Sequence, residues 1–431
     1  MSETLTLASS NEQTSLVAAG RGSFYQRLLL RVLRGFPHGC LRITWPDGSS
    51  QLFGEAGLTE PTAEVRLRRP AAFFRRCVLY GNIGLGESFV DGDWDSADLA
   101  AVVTWFIHNV GRMPRARGSS CRIPGINFLQ FFNKIGHWMR PNSLRVSRRN
   151  IAEHYDLGND FYQLWLDGTM TYSAARFTRS GQSLEEAQTD KYEALCQKLR
   201  LRASDHVLEI GCGWGGFSCH AARTYGCRVT AITISEEQYR FATERVKGEG
   251  LEDRVEIRLQ DYRLLTGQFD KIASIEMLEA VGDQYLETYF AKCHELLTPQ
   301  GMLAFQVITV PDCRHATLRQ GVDWIQKHIF PGSLLLSVAR FNGAIKNTGN
   351  LFMHEMEDLG ASYAQTLQLW WRRFNQKLPE VRQLGFDERF VRMWNYYLQY
   401  CEAAFATRNI SVVQACYTRP HNSLLHQTWS E

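Results

Sequence analysis

Hydrophobic positions recur along the chain in two rhythms. Between residues 24 and 36, Leu28, Leu29, Leu30, Val32 and Leu33 alternate with Arg27, Arg31 and Arg34 at helical spacing, which predicts an amphipathic basic helix. Residues 38–70 shift to short-strand patterning, with 41–45 followed by Pro46-Asp47-Gly48 as the clearest hairpin signal. Residues 71–110 read as helices around an unusual polar stretch, GLGESFVDGDW, from Gly84 to Trp94. From His206 the pattern becomes strand, helix, strand. Residues 207–210, 229–234, 255–259, 272–275 and 302–307 are strand-like, and helical stretches near 217–225, 236–247 and 285–297 separate most of them. Such alternation predicts an α/β, doubly wound, mostly parallel sheet covered on both faces. Residues 355–431 read as helical and rich in Trp and Tyr, and are expected to fold onto this sheet.

The 431 residues are enough for two domains, and 44% apolar with 22% charged residues is the balance of a folded chain. Residues 1–21 read as a disordered tail and 22–110 as a smaller α+β domain. Residues 111–150 read as a basic, aromatic linker, and 151–431 as the main domain. The formal charge of +3 is small, but its distribution is uneven. Residues 99–152 hold nine Lys or Arg and no Asp or Glu, interleaved with Phe128, Phe131, Phe132 and Trp138. Segregation of this kind points to an anionic membrane surface, where each cation contributes about 1 kcal/mol. The alternative is a solvated basic linker, and nucleic acid is not the expected partner. The eleven cysteines include no CxxC pair, which argues against a zinc site or a disulfide framework and for a reducing cytosol. The first twenty residues lack the order of a signal peptide, and no run of 18 apolar residues occurs. The expected location is therefore cytoplasmic, peripheral to the inner face of the membrane.

The chemistry concentrates at the strand ends. VLEIGCGWGGF (207–217) reads as a buried strand, a glycine turn and a helix start, which together form an anion or nucleotide cradle. Gly211, Gly213 and Gly216 satisfy G-x-G-x-x-G, a weak motif that suits a dinucleotide equally well. Ligands of doubly wound sheets sit at the carboxyl ends of the strands. The other residues there are 233–238, 260–262, 276–279 and 306–309.

Several stretches together resemble the cyclopropane-fatty-acyl-phospholipid synthase family. They are HYDLGND (154–160), MTYS (170–173), EIGCGWGG (209–216), TISEEQ (233–238), LQDYR (259–263), Glu279 and WIQKHIFPG (324–332), with GLGESFVDGDW before them. The resemblance runs from about residue 30 to the C-terminus. It implies a Rossmann-like methyltransferase sheet and S-adenosylmethionine as methyl donor. It assigns Tyr172, Ser173, Glu209, Gly211, Gly213, Thr233, Ser235, Gln238, Asp261 and Tyr262 to the cofactor. The implied substrates are unsaturated phospholipids, and a homodimer is allowed.

The reaction that the resemblance implies is methyl transfer to an acyl-chain double bond. An alkene is a poor nucleophile, so it must be held close to the donor in a dry pocket. The resulting carbocation needs aromatic walls, worth roughly 1–2 kcal/mol each, for which Tyr155, Tyr172 and Tyr363 are candidates. In the family a bound bicarbonate then takes a proton. Glu279 and Tyr363 match two of its partners, and Cys401 matches a C-terminal cysteine that is otherwise a small buried hydrophobe. The chain departs from the pattern at Ala174, Gln306 and Ala280, where the family has Cys, His and His. Gln306 and the Ala174 N–H still donate to an anion, but neither takes up a proton. Bicarbonate binding and ring closure are thus in question, and a methyl-branched or methylene-bearing chain becomes the alternative product. A small-molecule methyltransferase and an inactive lipid-binding homologue are the rival readings.

Overall fold

The computed structural model describes residues 22–54, 62–110, 157–319 and 321–425. The predicted tail (1–21), the basic segment (111–150) and Tyr155 lie outside the described residues.

The N-terminal part opens with α1 (Phe24–Leu33), capped by the Ser23 hydroxyl, which accepts from Gln26 N–H. Its apolar stripe packs inward, yet Phe24 stays exposed. The hairpin forms as β1 (Leu41–Thr44) and β2 (Ser50–Phe53), and β3 (Ala63–Leu67) joins β1 in parallel. Then come α2 (Pro70–Tyr80), α3 (Asn82–Val90), β4 (Trp94–Asp95) and α4 (Leu99–Val110). The four strands form one sheet in the order β2-β1-β3-β4. The polar GLGESFVDGDW stretch is α3 and its exit. Its first two glycines let α3 approach other elements at backbone distance: a Cβ on Gly84 would lie 2.1 Å from the Arg76 carbonyl oxygen, and one on Gly86 would lie 2.4 Å from Trp324 Cδ1.

The main sheet has seven strands in the order β10-β11-β9-β8-β5-β6-β7. These are β5 (His206–Ile210), β6 (Arg228–Thr233), β7 (Val255–Leu259), β8 (Phe269–Ile275), β9 (Leu297–Thr309), β10 (Phe352–Asp358) and β11 (Ser411–Thr418). The five strands from β5 to β9 are mutually parallel, as their apolar runs predict. Around them lie α5 (Leu184–Leu199), α6 (Gly216–Tyr225), α7 (Glu236–Gly248), α8 (Leu286–Leu296) and α9 (Val338–Thr348). The order reverses between β5 and β8, which opens a crevice at their carboxyl ends.

The C-terminal segment is only partly helical. It holds α10 (Gly360–Gln376) and α11 (Glu388–Ala406), but also two strands. β11 inserts antiparallel beside β9, and β10 forms the edge. Among the described residues, the N-terminal part shares a core with the main domain. One continuous apolar cluster runs from Leu33, Phe74 and Trp94 through Phe161 and Trp165 to Trp370 and Trp394. The Arg392 guanidinium ties α11 to the Trp94 carbonyl (2.8 Å) and to Asp95 (2.7 Å).

Candidate active site

The glycine turn leaves β5 with Gly211, Gly213 and Gly215 at φ of 85°, 53° and 85°, the left-handed region that favours glycine. The Gly211 and Cys212 N–H groups both donate to the Ile232 carbonyl at 3.0 Å, which pins the turn to β6. A Cβ on Gly211 would stand 2.8 Å from Met277 Cγ, whereas one on Gly213 would meet nothing within 4 Å. Gly213 is therefore the point where the turn faces open space. That space is a cavity of about 1060 Å3, at the upper end of ligand-site sizes.

Tyr172, Ser173, Glu209, Thr233, Gln238, Asp261 and Tyr262 line this cavity together with Gly211 and Gly213. Ser235 does not line it. Its hydroxyl caps α7 by accepting the Gln238 N–H at 3.3 Å. The Thr233 hydroxyl donates to Gln238 Oε1 at 2.8 Å, which fixes the glutamine amide over the β6 end. Glu209 accepts the Ser218 hydroxyl, and burial pushes its carboxyl up to about 8. Asp261 holds the Arg263 guanidinium through both oxygens, at 2.8 and 2.7 Å. Ser173 Oγ accepts from Lys191 Nζ at 2.7 Å. Lys191 is fully buried, and desolvation lowers its ammonium to about 7, against the opposing pull of Glu276, Asp167 and Glu209.

Glu276, the first residue after β8, is the centre of the polar network. It was legible in the sequence only as part of the 276–279 strand end. Its Oε1 accepts from the Ala174 N–H (2.8 Å) and from Gln306 Nε2 (2.7 Å), and its Oε2 accepts from the Tyr363 hydroxyl (2.8 Å). Gln414 on β11 donates to Gln306 Oε1 at 3.1 Å and so orients that amide toward Glu276. Glu276 itself has φ of 49°, a strained setting for a residue with a side chain. Three groups that the sequence reading aimed at a bicarbonate (Ala174 N–H, Gln306 and Tyr363) thus converge on a carboxylate of the chain.

Glu279 lies one short turn further on. Its Oε1 accepts the Ile308 N–H at 2.6 Å, and its Oε2 is buried without a hydrogen-bond partner among the described residues. Burial, and then the neighbouring charge of Glu276, push its carboxyl up to about 8. The folded state keeps this proton to higher pH than the unfolded chain does, so its contribution to stability is full below about 4.5 and is lost as pH rises toward 8. Glu279→Gln is expected to gain stability relative to the parent chain across that window, by an amount on the order of a few kcal/mol at pH 8. Urea unfolding at pH 5 and pH 8 checks this; an equal difference at both would show that Glu279 is ionised throughout.

The aromatic wall contains two of the three predicted tyrosines. Tyr172 sits between Trp165 and Trp370, at 5.5 and 5.4 Å between ring centroids, and shares a 2.8 Å hydrogen bond with Tyr397 Oη. Tyr363 packs on Phe405 at 4.4 Å. Cys401 also lines the cavity, but burial drives its thiol well above the usual range, so it stays protonated and acts there as a small apolar surface. Phe330 and Leu367, and Val103, Phe106 and Ile107 of α4, line the same cavity. Gln306 stands behind the wall, fully buried.

The family model for mycolic acid cyclopropane synthetase matches residues 142–415. The chain belongs to this family. It is 37% identical over 418 residues to tuberculostearic acid methyltransferase of Mycobacterium tuberculosis, covering 92% of this chain and 91% of that one. It is also 37% identical over 383 residues to cyclopropane-fatty-acyl-phospholipid synthase of Escherichia coli, covering 87% and 94%. The mycolic acid cyclopropane synthase CmaA1 complexed with SAH and CTAB superposes with a TM-score of 0.59 at 27% identity, over 63% of this chain and 98% of that one. This chain is an S-adenosylmethionine-dependent methyltransferase. Its own geometry fits that donor: the Gly213 face leaves room for backbone approach, and Gln238 and Asp261 stand at the ends of β6 and β7. When bound, the donor supplies a methyl group on a sulfonium. Among the described residues, no helix is long and apolar enough to cross a membrane.

Proposed function

We propose that this enzyme methylates the double bond of an unsaturated phospholipid acyl chain, and that the product is an open methylene-bearing chain instead of a ring. The observation that carries the reading is that one cavity is lined both by the glycine turn and by aromatic and aliphatic side chains, those of α4 included. A polar small molecule would leave most of that wall without a partner, whereas a hydrocarbon chain covers it. The named activities of the relatives, on fatty acyl and mycolic chains, point the same way.

The residues divide the work. Gly213, Gln238 and Asp261 hold the donor, and Tyr172 and Tyr363 face the region where charge develops on the chain. A methyl-branched saturated product requires, in addition, a hydride from a reduced cofactor or a reductase. Residues 111–150 bring the enzyme to anionic lipid at the inner face of the membrane.

The test uses methyl-labelled S-adenosylmethionine with anionic and zwitterionic vesicles of unsaturated phospholipid, and the labelled carbon skeleton is assigned by mass spectrometry. Label in an acyl methylene group, with faster turnover on anionic vesicles that falls with salt, is the expected result. Cyclopropane alone would overturn the product assignment, and label confined to water-soluble acceptors would overturn the substrate.

A further inference from the structure

We propose that Glu276 is the general base of this enzyme, a carboxylate of the chain that occupies the site of an exchangeable anion, so that turnover is independent of bicarbonate. The inference rests on the methyl-transfer reading above and deepens it.

The geometry is that of a built anion site already filled. Three donors from three distant parts of the chain, Ala174 N–H, Gln306 Nε2 and Tyr363 Oη, reach the two oxygens of one carboxylate at 2.7–2.8 Å. Gln414 holds the Gln306 amide in the donating orientation. The Ala174 carbonyl also accepts from Gln306 Nε2 at 3.2 Å, which closes the network from the other side. A free anion competing for these donors would have to displace a carboxylate tethered by its own backbone, and the tether gives Glu276 a large effective concentration. The backbone is strained to put it there, since φ at Glu276 is 49°. Strain of this kind persists where surrounding structure over-determines it, and it clusters at functional sites. Lys191 and Glu279, both buried, complete the set of charges around it. Of the two carboxylates, Glu276 has three donors and Glu279 has one, so a shared proton resides on Glu279 and Glu276 keeps the charge.

The step balances without any further reactant. The alkene π pair forms the bond to the incoming methyl carbon, and the sulfur–methyl pair stays on sulfur as a thioether. The positive charge is left on the other alkene carbon. A hydride shift from the methylated carbon moves the charge onto that more substituted centre. A methyl C–H bond then breaks: its electron pair becomes the new carbon–carbon double bond and its proton goes to a Glu276 oxygen. Burial raises the Glu276 carboxyl above its ordinary value in spite of these hydrogen bonds, which suits it to take up the proton once the shift has placed the charge beside the methyl group.

Three measurements test this. Wild-type turnover in bicarbonate-depleted buffer is expected to match turnover with bicarbonate added. Glu276→Gln is expected to lose roughly a hundredfold or more in turnover while binding S-adenosylmethionine as before by calorimetry, and Glu279→Gln to lose about tenfold. Glu276→Gly empties the site at a backbone angle that glycine adopts without strain. It is expected to bind 13C-bicarbonate, seen as line broadening that the wild type lacks, and to regain turnover with bicarbonate or formate. A wild type that requires bicarbonate, or a Glu276→Gln enzyme with full turnover, overturns the assignment. A wild type that consumes no S-adenosylmethionine on any unsaturated lipid fails the methyl-transfer reading instead, and the 13C measurement still reports on the anion site.

Discussion

Gly213→Leu is expected to weaken S-adenosylmethionine binding by at least a hundredfold while the chain stays folded. A Cβ at this position meets no atom within 4 Å, so the folded protein tolerates the side chain sterically. The cost to stability is that of a left-handed residue, about 1–2 kcal/mol, because φ there is 53°. The space the side chain enters is the cavity itself, and a hundredfold loss corresponds to about 2.8 kcal/mol of binding. Gly211→Ala is the contrasting case. Its Cβ would press on Met277 at 2.8 Å with φ of 85°, so it disturbs the turn whether or not the donor is present. Calorimetry with S-adenosylhomocysteine, beside urea unfolding of each variant, separates the two. Unimpaired binding by Gly213→Leu would remove the glycine turn from the cofactor site.

The largest effect on stability is expected from Gly86→Ala. The added carbon would lie 2.4 Å from Trp324 Cδ1, 2.5 Å from its Nε1 and 2.8 Å from Tyr396 Cε1. Both rings are fully buried, so neither swings aside. Overpacking costs typically 1–3 kcal/mol, and this site belongs at the top of that range or above it. Tyr396 also lines the cavity, so the variant is expected to lose acyl-chain turnover along with stability. Gly343→Ala, inside α9 with nothing within 4 Å, is the control and is expected to stabilise by about 0.5–1 kcal/mol. Urea midpoints of the two variants decide the matter; equal midpoints would mean that α3 does not depend on close packing against Trp324.

The glycine turn, the five parallel strands and the helices between them were legible in the chain because each depends on residues within a few positions of one another. Apolar runs at β5 through β9 and helical periodicity at α6 to α8 state their structure locally. Which glycine of the turn is open was not local: the sequence put Gly211 and Gly213 on the same footing, and only the packing of Met277 against Gly211 leaves Gly213 as the open one. β10 and β11 gave no such signal. The alternate positions of β10 are mostly exposed on both faces at the sheet edge, and β11 is buried on both, so neither alternates between apolar and polar. Only pairing makes them strands: β11 pairs with β9, far away in the sequence, and β10 pairs with β11. GLGESFVDGDW looked polar because its glycines serve close contact and its acids serve ion pairs with Arg76 and with Lys327.

The base site belongs to the same class. Ala174, Glu276, Gln306, Tyr363 and Gln414 each read locally as ordinary loop, strand or helix residues, and 240 positions separate the first from the last. Local periodicity can announce a strand or a turn, because those are set by neighbours. Folding alone brings three remote groups within hydrogen-bond distance of one carboxylate, with Gln414 bonded behind one of them, since that convergence depends on which strands pair and which helices close over the crevice.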